Sequence, residues 1–360
     1  MIRRVPEIDG IRGCAILLVI MHHYVADQLV RPESGTLGAQ VLSTVRLSWS
    51  GVDLFFVLSG FLIARGLLRN RDTKNYFKVF YIRRTCRILP AYVILLATYF
   101  GAIVLGWSAL PQFTWLFSNP LPDYSYLTFT QNILMGVRET FGAAWLIPTW
   151  SLAVEEQFYL IVPALALLAR GRFAKIALLA FLAAPALRFA FPGFHTYVAS
   201  PFRADSLAAG VLLAMAFESL PMRAWITEHG STLRRTLATM GALTIVLTFY
   251  PILGALEFSW LAVLYGLGIT VVLAESDGRL AQVMRLRPLR WVGMRSYGIY
   301  LFHLPVLGIV QGLRGHTLPE LLGWADIAAT GLALALSLVV AAVLYRLVEE
   351  PFIALGQRSR

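Results

Sequence analysis

Two residue types that rarely enter an apolar helix stand together near the start of this 360-residue chain: Arg12 and His23, in the stretch "IDGIRGCAILLVIMHHYVADQLV". An arginine at mid-bilayer depth costs roughly 2.5 to 3.5 kcal/mol on insertion scales, so such groups mark function or a polar interior. Eleven residues separate the two, which at 100° per residue is about 20° beyond three full turns. Both side chains therefore share one helical face, about 16 Å apart along the axis. An imidazole suits proton abstraction near neutral pH, which makes His23 a candidate general base. His22 points about 100° away and is read as a packing residue, and two adjacent histidines of one α-helix should not face the same metal ion. No metal is expected.

Further charged groups lie in apolar surroundings. "YFKVFYIRRTCRILPAY" (76–92) holds Lys78, Arg83, Arg84 and Arg87, interleaved with or following Tyr76, Phe77, Phe80 and Tyr81, with Arg84 and Arg87 on one face at i, i+3. Membrane anchoring and binding of a polyanion such as a nucleotide phosphate both fit this loop. "TWSLAVEEQFYLIVP" (149–163) places Glu155 and Glu156 about two turns inside an apolar helix. Unpaired they would be costly, so they should meet arginine or histidine; Glu155 could orient the His23 imidazole, or serve a structural ion pair. Asp53, Arg203, Asp205 and His303 are likewise polar groups at helix depth. The i, i+2 spacing of Arg203 and Asp205 points them apart, so each should pair across helices. Ser59 and Gly60 are read as small residues for close helix packing. Glu349, in "VEEPF", is read as a cap or ion-pair partner where Pro351 ends the last helix.

The elements that must position these groups follow from composition. Hydrophobic residues make up 58%, charged residues 14%, and the mean hydropathy is +0.68, too apolar for a soluble chain of this length. The reading is an all-α polytopic membrane protein, a single transmembrane domain over 1–360. Apolar runs fall at 11–30, 47–67, 88–107, 149–169, 174–191, 204–220, 236–253, 258–275, 297–313 and 325–347, a bundle of about ten helices. The stretch 124–136 is too short and polar to span and is read as interfacial or re-entrant. With the N-terminus inside, 25 of the 31 Lys and Arg fall on the inner side, which places both termini in the cytoplasm. The net charge of +11 thus reports topology before any nucleic acid. No cleavable leader is read at the N-terminus. Cys14 and Cys86 lie near cytoplasmic helix ends, where no disulfide is expected. HExxH, zinc-spaced Cys/His, GxSxG and P-loop motifs are absent from the sequence.

Seven stretches, "IDGIRGCAILLVIMHH", "GVDLFFVLSGFLI", "RRTCRILPAYV", "TWSLAVEEQFYLIVP", "RADSLAAGVLLA", "SYGIYLFHLPV" and "VEEPFI", resemble in their order the acyltransferase 3 family of bacterial integral-membrane acyltransferases, over 3–353. The resemblance implies transfer of acetyl or other short acyl groups from acyl-CoA to hydroxyls of carbohydrates, in a bacterial cytoplasmic membrane. The family's Arg/Lys, ten residues, His pattern falls on Arg12 and His23. Its RxxR pattern falls on Arg84 and Arg87, and its SGF element on Ser59, Gly60 and Phe61. It further implies acyl-CoA as co-substrate with no tightly bound cofactor, and the form without a C-terminal SGNH hydrolase-like domain. Whether a separate periplasmic partner or a homo-oligomer completes transfer is left open.

On that reading His23 is the base on the acceptor hydroxyl or, in a variant mechanism, the nucleophile. Glu155 orients it, Arg84 and Arg87 with Lys78 and Arg83 hold the CoA phosphates, and Arg12 lines the path between. The rival is a secondary transporter or glycan flippase, which would favour inverted repeats with paired broken helices; none is evident. A purely structural scaffold fits poorly with so many polar insertions.

Overall fold

The computed structural model describes residues 5–29 and 37–358; Arg3, Arg4, Arg31 and Arg360, counted above for topology, and the end of the first apolar run at Val30 lie outside them. The described residues contain helices and no strand. Chains in hydrocarbon must satisfy backbone groups internally, and the long apolar runs do so as helices. Eight are long and apolar enough to cross a membrane: Pro6–Ala26, Val41–Arg69, Tyr76–Val104, Ala144–Leu168, Arg170–Ala190, Gly254–Ala274, Ser296–Leu313 and Trp324–Arg358. A ninth is formed if Ser200–Glu218 and Leu220–Glu228, bent by 94°, count as one span. The protein is an all-helical, multi-pass membrane protein. The run expected at 236–253 is the 20-residue helix Gly230–Phe249, less apolar than the eight, with Arg234 and Arg235 near its start.

Close backbone approach and buried ion pairs hold the bundle. The 51–69 helix packs on the 204–218 helix through Gly60 and Gly210, where a Cβ on either would collide with the carbonyl oxygen of Leu207 or Val57 respectively. Gly293 lets the helix Arg287–Met294 lie against the backbone of Asp9 in the first helix in the same way. Small residues replace the hydrophobic drive that lipid removes.

Arg203 and Asp205 do pair across helices. Arg203 Nη2 donates to Asp53 Oδ1 at 2.7 Å, which also accepts from Ser206 Oγ at 2.9 Å. The Arg203 guanidinium lies 3.7 Å from the Phe258 ring centroid. Arg188 Nη2 donates to Asp205 Oδ2 at 2.7 Å and to Ser259 Oγ at 3.0 Å. Two charge pairs whose members are at most 4% exposed thereby join three helices, and Ser259 ties in a fourth. Removing one partner strands a charge away from water, which is worse than losing the attraction.

The segment 124–136 forms two short helices, Asp123–Leu127 and Gln131–Arg138, folded against the 149–168 helix. Gln131 Nε2 donates to the Thr149 carbonyl at 2.9 Å, and both Gln131 and Asn132 are fully buried. Pro351 does not end the last helix. A π turn at Tyr345–Glu349 precedes it, and the helix continues as Glu350–Arg358, because proline is tolerated at an early helical position where its N–H is not required.

Two consequences can be measured by thermal unfolding in detergent. Asp53→Ala is expected to cost about 3–5 kcal/mol, whereas Glu218→Ala, which breaks half-exposed pairs with Arg65 and Arg69, should cost under about 1 kcal/mol. Gly210→Val should destabilise by about 1–3 kcal/mol or more, because neither backbone can retreat.

Candidate active site

The first helix is α-helical from Pro6 to Met21 and then widens into a π turn over His22–Ala26. Its signature is the Asp27 N–H donating to the His22 carbonyl, five residues back, at 2.9 Å. In an α-helix the residues three and four back lie beneath a side chain; in the wider π turn it is those four and five back. Asp27 consequently stands over both histidines. Its Oδ2 is 3.1 Å from His23 Nδ1 and 3.4 Å from His22 Nε2.

A carboxylate only accepts, so the short contact puts a proton on His23 Nδ1 and leaves the Nε2 lone pair free. Burial alone would raise the Asp27 carboxyl. The hydrogen bond from His23, with His22 and the Arg46 guanidinium nearby, outweighs that and leaves it below its ordinary value. Gln28, 3% exposed, fixes the turn: its Nε2 donates to the His23 carbonyl at 3.0 Å and its Oε1 accepts from Thr330 at 3.2 Å.

The His303 ring faces His23, with centroids 5.2 Å apart. His303 Nδ1 lies 2.8 Å from the Tyr300 carbonyl and 3.2 Å from that of Ile299, so the proton sits there. Its Nε2 is then a bare lone pair, buried and without a hydrogen-bond partner among the described residues. His23 itself is about one-quarter exposed, so the imidazole is neither sealed off nor free in solvent.

The other end of the first helix carries a different set. Arg12 Nη2 donates to Ser296 Oγ at 3.0 Å and lies within electrostatic range of Asp9, Arg87, Glu155 and Glu349. Glu155 accepts from Ser59 Oγ at 2.9 Å and from the Tyr159 hydroxyl at 2.6 Å. Arg84 lies 5.6 Å from the Tyr159 ring and 5.9 Å from that of Phe80, near Glu155 and Glu156. The second π turn swings Glu349 inward, 4% exposed, near Arg87, Arg12 and Arg295. One oxygen each of Glu156 and Glu349 is buried without a partner among the described residues.

Two assignments from sequence therefore change. Glu155 does not orient His23; it belongs with Arg12, about three helical turns away, and Asp27 takes the place beside the imidazole. Sequence gives depth along a helix but not which neighbour a side chain meets. Secondly, the argument that His22 and His23 diverge holds only for an α-helix. Ligand atoms of His22, His23 and Asp27 all lie within 4.8 Å of one another.

Ser59 does more than allow close packing, since it donates a hydrogen bond to Glu155, while Gly60 packs as expected. The four loop cations separate. Arg84 and Arg87 face inward, Arg83 is exposed, and Lys78 lines a cavity of about 570 Å³ with Arg71, Lys74, Arg170, Tyr76 and Phe77. Asp27 was legible in principle as the i+4 residue after His23, and Tyr159 as the i+4 residue after Glu155. Asp53, Arg203 and Asp205 serve the frame described above.

Residues 5–346 match the family described as an acyltransferase domain. The chain belongs to the acyltransferase 3 family. It is 28% identical to peptidoglycan O-acetyltransferase OatA of Listeria monocytogenes over 96% of this chain and 55% of that protein. It is 28% identical to the putative peptidoglycan O-acetyltransferase YrhL of Bacillus subtilis over 99% of this chain and 56% of that protein. A putative O-acetyltransferase of Staphylococcus aureus is 27% identical over 97% of this chain and 57% of its own length. The chain thus spans little more than half the length of these relatives. No solved structure matches it significantly. Both the Arg12 and His23 pair and the Arg84 and Arg87 pair lie within the matched region of this acyltransferase 3 chain.

The geometry makes one side-chain contact testable by itself. Tyr159→Phe should leave Glu155 with the Ser59 donor alone and lower thermal stability by about 1.5–3 kcal/mol, the range for a hydrogen bond to a charged group.

Proposed function

We propose that the protein is an O-acyltransferase that moves an acyl group, acetyl in the first instance, from acyl-CoA to a hydroxyl of a carbohydrate. The observation that carries this reading is the Asp27–His23 hydrogen bond in a chain of the acyltransferase 3 family. It is supported by relatives named as peptidoglycan O-acetyltransferases, which makes a cell-envelope glycan the first acceptor to try. The membrane is the bacterial cytoplasmic membrane, with both termini and the basic end facing the cytosol.

Acyl transfer needs a base, charge stabilisation and a site that shields the thioester from water. Arg84, Arg87 and Arg12 receive the anionic donor, and the cavity beside Lys78, Arg71, Lys74 and Arg170 takes its outlying phosphate. The pantetheine arm runs along the first helix, whose Arg12 to His23 distance is about 16 Å. At His23, Nε2 takes the proton of the acceptor hydroxyl as its oxygen attacks the thioester carbonyl. Asp27 holds the Nδ1 proton in place and stabilises the imidazolium that forms. Collapse of the tetrahedral adduct breaks the carbon–sulfur bond, and the proton returns to the departing thiolate of CoA.

Purified protein in bilayer nanodiscs, supplied with radiolabelled acetyl-CoA and peptidoglycan fragments, tests the assignment. His23→Ala and Asp27→Asn should each lower transfer by on the order of 10² to 10⁴, with CoA affinity kept. The Arg84→Ala, Arg87→Ala double variant should instead weaken CoA binding by about 10- to 100-fold. Unaltered transfer by His23→Ala would remove the proposed base, and weakened CoA binding in that variant would force the roles to be exchanged.

A further inference from the structure

His22 has no part in the chemistry above, yet the π turn aims it at the same carboxylate oxygen as His23. We propose that His22 Nε2, His23 Nδ1 and Asp27 Oδ2 form a binding site for one zinc-class divalent ion, and that filling it switches off the base. The binding half stands on geometry alone; the switching half rests on the assignment of His23 under the proposed function.

Zinc holds nitrogen and oxygen ligands at about 2.0–2.2 Å in a tetrahedron, whose ligand-to-ligand edge is then about 3.3–3.6 Å. Two edges of the triad are close to that value in the structure, 3.1 and 3.4 Å. The third pair lies within 4.8 Å, and a side-chain rotation closes it. The cluster opens outward, with side-chain exposures of 20%, 23% and 49% for His22, His23 and Asp27, so an ion can enter and a fourth position stays free.

Ligand chemistry selects the ion. Two imidazoles and one carboxylate suit zinc, cobalt, nickel or copper, whereas magnesium and calcium demand oxygen shells that these residues do not supply. Arg46, within electrostatic range of His22 and Asp27, opposes any cation held by charge alone. Coordination to nitrogen has to supply the affinity.

Occupation changes His23 without removing it. The ion needs the lone pair of Nδ1, so the proton there moves to Nε2, and no proton is lost from the ring. An Nε2–H cannot accept the proton of a hydroxyl. The facing His303 ring, its centroid 5.2 Å from that of His23, carries an Nε2 lone pair that is buried and unpartnered among the described residues. Metal-bound histidines characteristically give their second N–H to a hydrogen-bond acceptor.

The test uses full-length protein freed of metal by chelator and titrated with Co²⁺, whose visible absorption reports tetrahedral coordination, with Zn²⁺ added in competition and Mg²⁺ as control. One ion per chain is expected, with affinity lowered at least on the order of 100-fold in both His22→Ala and Asp27→Asn. Unchanged thermal unfolding of the metal-free variants excludes misfolding. Zn²⁺ should inhibit acetyl transfer with a midpoint equal to its Kd, and the transfer retained by His22→Ala should be insensitive to the same concentrations. Absence of stoichiometric binding, or binding that survives His22→Ala undiminished, overturns the site. Stoichiometric binding in the wild type together with full transfer by His23→Ala would keep the site and overturn the switch along with the assigned base.

Discussion

One extra residue in one helical turn sets the geometry of the histidine cluster. Were the first helix α-helical throughout, Asp27 would lie over His23 but not His22, and the His23 carbonyl would accept from the Asp27 N–H rather than from Gln28 Nε2. The π turn gathers His22, His23 and Asp27 at one end of a helix whose other end carries Arg12. A π turn has weaker backbone hydrogen bonding than an α turn, and it persists here because the surrounding side chains hold it: Gln28 through Thr330, and Tyr24 through the His303 carbonyl and Ser337.

The frame around that turn is stiff for reasons that lipid imposes. Apolar burial cannot drive helix association in hydrocarbon, so glycine contacts and buried charge pairs do. The two pairs Asp53–Arg203 and Asp205–Arg188 clamp three helices without entering the cluster of His22, His23 and Asp27. A different set, Arg12, Arg84, Arg87, Glu155, Glu156 and Glu349, forms no ion pair within 4.0 Å among the described residues, in contrast to the 2.7 Å contacts of the clamp. Both sets keep buried polar atoms without a partner among the described residues: Asp53 Oδ2, Arg203 Nε and Arg203 Nη1 in the clamp, Glu156 Oε1 and Glu349 Oε1 in the other set. Charges gathered without close pairing suit a surface that receives a charged ligand.

Much of this was legible in the sequence. Long apolar runs specify helices because the bilayer permits little else, and the i, i+2 spacing of Arg203 and Asp205 correctly sent each to a different helix. The family was legible in the order of its motifs. The partners of the His23 imidazole were not. Glu155 sits at a suitable depth for a carboxylate partner, but periodicity along one helix says nothing about which neighbouring helix end it meets. Asp27 lies inside the apolar run 11–30, and the π turn that gives it two imidazoles leaves no mark in a 100° periodicity. Similarly, Pro351 reads as a stop only while the preceding turn is assumed to be α-helical.

The account stands on a single tautomer: His23 with its proton on Nδ1, directed at Asp27, and a lone pair on Nε2. Nitrogen-15 NMR of metal-free, histidine-labelled protein, with His23→Gln used to assign the signal, measures it directly. The predicted result is an Nδ1–H imidazole in the wild type that shifts toward Nε2–H in Asp27→Asn. A His23 ring that carries its proton on Nε2 in the wild type, and is indifferent to Asp27→Asn, would contradict the account.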